Sequence, residues 1–207
     1  GQAYSDSSNT VIDAVVESST QLRAVSPEES RISPISGHVV AGLDVGKVSW
    51  FVVGVLKHSA SQTQPKLHVL WAQQIELRDA SGGSDLREKV LELLKAFRVR
   101  LLVCDNLPYT DTILGIQANR PKGWVLPNQY TLTERRLSMW QVNEKEWRVD
   151  TNRTKTLDYL VKQINSGHVL FPILPETKVI RDHLQGMVRL DRGDGDDSDP
   201  YWGKRGD

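Results

Sequence analysis

Two aspartates stand where a carboxylate is expensive. Asp44 lies inside the apolar run Gly42-Leu43-Asp44-Val45-Gly46, and Asp105 closes the run Leu101-Leu102-Val103-Cys104. An ionised side chain among apolar neighbours loses hydration and needs a partner. Each has a plain explanation alone: Asp44 makes a turn with Gly46, and Asp105 caps a loop ahead of Pro108. Together they imply more. If the strands that end on them are parallel neighbours, both carboxylates lie at one end of a sheet and repel unless a metal sits between them. Hard divalent ions such as Mg²⁺ or Mn²⁺ take oxygen ligands of this kind. Two such ions can activate a water and steady the leaving oxygen of a phosphodiester.

Other candidate chemistry is weaker. Gly42 to Val48 (GLDVGKV) is one residue short of a phosphate-binding loop, and Val48 stands where Ser or Thr would bind magnesium. An Asp-x-Gly turn of the actin-like sugar and acetate kinases also follows a first strand. No later Gly-rich adenosine loop accompanies it here, and the chain is too short for two duplicated domains. Asp191 to Asp199 (DRGDGDDSD) carries five carboxylates, but Gly and Glu do not fall at the sixth and twelfth positions of a calcium loop. It reads as a solvated loop. The five histidines lack metal-ligand spacing, and Cys104 in an apolar strand reads as inert. Basic residues gather at Arg120 and Lys122, at Arg135 and Arg136, and at Arg148, Arg153 and Lys155, with Trp140 and Trp147 between them. Such a strip can grip phosphates without reading bases.

The elements that must position these residues follow from periodicity. His38 to Val45, Ser49 to Lys57 and Lys66 to Leu77 are β-branched and aromatic runs with short links, an antiparallel meander. Asp85 with Glu88 reads as an N-cap pair opening a helix whose face is Leu86, Val90, Leu93, Leu94 and Phe97. Arg100 to Asp105 is a buried central strand. Tyr109 to Asn119 reads as a short helix, and Gly123 to Tyr130 as a fifth strand, placed at an edge by Pro127. Leu137 to Val149 reads as a ribbon turning at Asn143 to Glu146. Leu157, Leu160, Val161 and Ile164 mark a helix stopped by Gly167; Ile180, Leu184, Met187 and Val188 mark another, starting near Pro175. The order βββαβαβ, then helices, is that of the ribonuclease H-like fold: an α/β domain with a five-stranded mixed sheet flanked by helices, plus an extra β-ribbon.

Composition agrees. The chain has 207 residues, 39% hydrophobic and 25% charged, with 26 basic against 26 acidic side chains. That suits one domain with a real core and excludes a wholly basic DNA-coating protein. One cysteine excludes a disulfide framework and fits a reducing compartment. No stretch nears the roughly 20 apolar residues of a membrane span. Gly1 to Ser36, polar and with at most one short helix around Val11 to Val16, reads as a linker or arm continuing from something larger.

Over most of Gly37 to Asp207 the chain resembles the carboxy-terminal nuclease domain of the large terminase subunit of tailed bacteriophages. The anchors are Gly42-Leu43-Asp44-Val45-Gly46, Leu102-Val103-Cys104-Asp105-Asn106-Leu107-Pro108, Val149-Asp150-Thr151-Asn152-Arg153-Thr154 and Tyr201-Trp202-Gly203-Lys204-Arg205-Gly206-Asp207. The resemblance implies an endonuclease that cuts concatemeric double-stranded viral DNA, using two Mg²⁺ or Mn²⁺ ions held by three acids. Those acids fall on Asp44, Asp105 and Asp207, with a residue beyond Asp207 as the alternative for the third. It makes residues 1–36 the linker from a packaging ATPase domain of the same polypeptide and 37–207 the nuclease. The implied partners are DNA, that ATPase, the portal protein and the small terminase subunit; the implied setting is the bacterial host cytoplasm, transiently docked on the procapsid. Duplex DNA would be guided by Arg135, Arg136, Trp140, Trp147, Arg148, Arg153 and Lys155. A transposase or junction resolvase of the same fold, and a docking module without catalysis, are the alternatives.

Overall fold

In the computed structural model, the residues described are 11, 13–46, 48–58, 64–76, 83–130, 139–190 and 201–204. The chain opens with α1 (Asp13–Ser19), β1 (Thr20–Leu22) and α2 (Pro27–Ile32). The meander follows as β2 (Val39–Asp44), β3 (Val48–Lys57) and β4 (Lys66–Glu76). Then come α3 (Gly83–Ala96), β5 (Leu101–Asp105), α4 (Thr110–Ala118), β6 (Val125–Tyr130), β7 (Trp140–Asn143) and β8 (Arg148–Thr151). The last elements are α5 (Arg153–Asn165), β9 (Val169–Pro172), α6 (Pro175–Gly186), β10 (Met187–Leu190) and β11 (Tyr201–Lys204).

The expected five-stranded order is present as β4-β3-β2-β5-β6, with β2, β3 and β4 antiparallel and β5 and β6 parallel to β2. It forms the middle of a nine-stranded sheet, β1-β9-β4-β3-β2-β5-β6-β8-β7. Three expectations change as a result. The ribbon β7–β8 is no separate appendage, because β8 pairs in parallel with β6. For the same reason β6 is interior rather than an edge. Pro127 is tolerated because it pairs with Cys104 on β5, whereas the β8 ladder begins only at Asn128. On the far side, β9 pairs with β4, and β1 pairs with β9. The stretch expected to be an arm with at most one short helix thus supplies two helices and an edge strand, with Val11 and Val16 buried.

Two hydrophobic layers sandwich the sheet. Phe51, Val53, Val55, Leu102 and Cys104 point to one side and meet Leu86, Val90, Leu93, Leu94 and Phe97 of the α3 segment and Ile113 and Ile116 of α4. All five of those α3-segment side chains are buried, contributing about 1.5–3 kcal/mol each. Helix α3 begins at Gly83, so Asp85 lies in its first turn, where it favours the helix dipole but is not the cap the sequence suggested. On the other side, Val69, Val169 and Phe171 meet Val16, Val161, Ile164 and Trp202. Gly54 sits where the β3–β4 register shifts. A Cβ there would lie 2.9 Å from Leu67 Cδ1 and 3.1 Å from the His68 carbonyl oxygen, so the strands approach closely only because this residue is glycine.

One strand falls where the sequence assigned no element, and one expected helix ends early. Val169–Pro172 is a strand, and α6 stops at Gly186, so Met187 and Val188 belong to a strand instead of extending the helix. Strands β10 and β11 form a two-stranded antiparallel sheet beside α5. Asp158 of α5 holds it there. Its carboxylate accepts from the Trp202 indole N–H at 2.8 Å and from Arg189 at 3.0 and 3.1 Å.

Candidate active site

Strand alternation decides which side chains leave the core. In β2, Val39, Ala41 and Leu43 face α3; in β5, Leu102 and Cys104 do so. The intervening residues, ending in Asp44 and Asp105, therefore point to the opposite face. The parallel register runs from Val40 opposite Leu101 to Leu43 opposite Cys104, and each strand then ends on its aspartate. The two carboxyl groups are hydrogen-bonded to one another in a cleft of about 910 Å³ walled mainly by apolar groups.

The electrostatics follow from that placement. Burial, the hydrogen bond to Asp44 and the Asp44 charge together push the Asp105 carboxyl up to about 6, against the opposing pull of an Asn128 hydrogen bond and the Arg153 charge. Burial and the Asp105 charge also hold the Tyr130 phenol above its ordinary range. Cys104 faces the core, and burial, with a smaller contribution from Asp105, raises its thiol to about 12, so it is no nucleophile. Two carboxylates that resist sharing negative charge are a donor set for a hard divalent cation. Their all-oxygen chemistry and the open cleft fit Mg²⁺ or Mn²⁺. Among the described residues no group of three or more metal-ligating side chains occurs, and Asp207 lies outside them.

The basic and aromatic residues divide between the cleft and the β7–β8 turn. Arg153 and Trp140 line the cleft; Trp140 is 57% exposed, and the Arg153 guanidinium sits 5.5 Å from the centre of the Tyr130 ring. Arg153 opens α5, whose first turn is capped by Asn152 Oδ1 accepting from the Lys155 backbone N–H at 3.0 Å. The Lys155 side chain is exposed near that rim. Trp147 and Arg148 lead into Val149, which stands level with Asn128 and Asp105 in the parallel register, but neither lines the cleft. Trp147 packs on Gly123, whose φ is +80° and where a Cβ would come within 2.8 Å of the indole. Lys122 covers the same ring at 4.8 Å, and Gln117 donates to the Trp147 carbonyl at 2.8 Å. Arg148 is engaged by Glu146 and Asp150. Both residues thus build the turn. Arg135 and Arg136 are outside the described residues.

Sequence reasoning missed Asn128, Tyr130 and Thr151, which share the cleft with the aspartates. Asn128 stands directly opposite Asp105 in the β5–β6 register and bonds to its carboxylate. The Thr151 hydroxyl donates to Asn128 Oδ1. The available signal was positional: polar residues at the ends of parallel strands, out of phase with the core.

Fold and site together define a ribonuclease H-like α/β domain with a carboxylate pair at the ends of its first and fourth central strands. No family model and no curated protein matches the chain. Solved structures do. The large terminase nuclease of thermophilic phage G20c superposes with a TM-score of 0.51 at 15% identity, over 83% of this chain and 74% of that one. The large terminase of thermophilic bacteriophage D6E gives 0.55 at 10% identity, over 93% of this chain and 40% of that one. The HK97 bacteriophage large terminase gives 0.51 at 12%, over 94% and 40%. The chain has the fold of the phage large terminase nuclease and spans well under half of the two larger terminase chains.

Proposed function

We propose that this chain is the divalent-metal-dependent endonuclease domain of a DNA-packaging terminase large subunit, cutting concatemeric double-stranded DNA. The observation that carries the reading is the contact between Asp44 and Asp105 at the ends of adjacent parallel strands in this fold. Asp44 and Asp105, with Asp207 as the expected third ligand, would hold the two Mg²⁺ or Mn²⁺ ions. When bound, these ions supply an activated water for phosphodiester hydrolysis and charge to offset the leaving 3′-oxygen. The chain's own groups do the placing. Arg153 and Lys155 at the start of α5 neutralise backbone phosphates beside the carboxylates, joined by Arg135 and Arg136. Trp140 offers an exposed flat face at the cleft mouth. Contacts of this type favour sequence-tolerant, salt-dependent binding. The arm would join the domain to an ATPase of the same polypeptide. The portal protein and small terminase subunit would be its partners, in a bacterial cytoplasm and transiently at the procapsid.

Plasmid cleavage in EDTA, Mg²⁺ or Mn²⁺ tests the proposal. The wild-type chain is expected to nick and linearise DNA only with metal, and Asp44→Ala and Asp105→Ala each to lose that activity by at least about 100-fold. Undiminished cleavage by either variant would sink the assignment. Cleavage of branched but not linear DNA would favour a resolvase. Inertness with every metal, including in a chain extended past Asp207, would favour a docking module.

A further inference from the structure

Asp105 has a buried polar neighbour on the adjacent strand. Asn128 stands opposite it across the β5–β6 ladder, only 9% exposed, and Thr151 is its diagonal neighbour across β6–β8 at 7%. Thr151 donates its hydroxyl proton to the Asn128 amide oxygen. That leaves the amide nitrogen to face the other side, toward the Asp105 carboxylate and the Tyr130 oxygen, with both of which Asn128 interacts. A reversed amide would set its oxygen against the Asp105 carboxylate, acceptor against acceptor. Packing alone would be served by an apolar side chain between Leu126 and Val149, so the amide's distinctive contribution is direction.

We infer that Asn128, locked by the Thr151 hydroxyl, is a positioning residue that fixes the orientation in which Asp105 presents its free oxygen lone pairs to a divalent cation. This rests on the metal-nuclease reading. Bonds that orient a ligating carboxylate commonly change metal affinity when they are removed.

The test is Mn²⁺ binding by isothermal titration calorimetry on the whole chain without DNA. Thr151→Val keeps the side chain's shape and removes the hydroxyl. It is expected to weaken Mn²⁺ binding by about 10-fold and to lower the melting temperature by a few degrees, because the Asn128 oxygen loses its donor; Thr151→Ser is expected to restore both. Asn128→Ala, run in parallel, should show the same loss, and the Mn²⁺ concentration for half-maximal plasmid cleavage should rise by the same factor in both. If Asp105→Asn loses the ion while Thr151→Val and Asn128→Ala bind it as the wild type does, the positioning role is overturned and the metal site survives. If Asp105→Asn itself binds Mn²⁺ normally, the metal reading fails and this inference fails with it.

Discussion

The aspartate pair makes the protein work against its own stability. An ordinary aspartate loses its proton near pH 4, whereas Asp105 holds it until about pH 6 in the fold. A raised carboxyl contributes stability that is complete below the lower value and is lost as pH rises through the higher one. In EDTA the wild-type chain should therefore lose about 1 kcal/mol between pH 4 and pH 7, the figure being reduced because the group is partly exposed. Asp105→Asn should melt roughly 2–4 °C above the wild type at pH 8, with the gap closing near pH 4. A pH series of thermal melts checks this, and a variant that is less stable at pH 8 would contradict it. The two aspartates were legible in the sequence because each interrupts an apolar strand. Asn128 and Thr151 were not, since a polar residue at a strand end is commonplace until the register shows what it faces.

At the level of elements, short strands were the illegible part. Val169–Pro172 is four residues closed by proline, too brief for periodicity to mark it as a strand. Met187 and Val188 continue the helical spacing of Ile180 and Leu184, and only Gly186 hints at the break. Strands β3 and β4 and helix α3 were legible because their patterns run for ten residues or more. The β10–β11 pair depends on one carboxylate. Asp158→Ala strands the buried Trp202 indole N–H and frees Arg189, so it should cost about 2 kcal/mol, with Asp158→Asn intermediate. Urea unfolding followed by tryptophan fluorescence measures it, and an unchanged midpoint would mean that the ribbon is held by packing alone.

For the whole molecule, the sequence suggested a boundary at residue 36 that the fold crosses. The reason is compositional: Gly1 to Ser36 is polar overall, and the apolar residues that dock, among them Val11, Val16, Val25 and Ile35, are too sparse to announce a core. Removing residues 1–24 deletes β1 and uncovers the layer built on Val169 and Phe171. We expect a loss of at least about 3 kcal/mol, or roughly 6–12 °C in melting temperature, together with aggregation through the bared edge of β9. Differential scanning fluorimetry and light scattering report both, and an unaltered melt would make the arm dispensable.

The parallel pairing of β1 with β9 also has a mechanical meaning. Thr20 lies opposite Phe171 and Leu22 opposite Pro172; the Leu22 carbonyl accepts from Ile173 N–H at 2.9 Å, and Val25 N–H donates to the Leu70 carbonyl at 3.1 Å. Tension drawn along β1 from its N-terminal side, against the chain leaving β9 at its C-terminal side, loads these bonds in shear, all at once, instead of peeling them singly. A pull on the chain ahead of β1 would pass through these bonds into the sheet whose central strands carry the carboxylates.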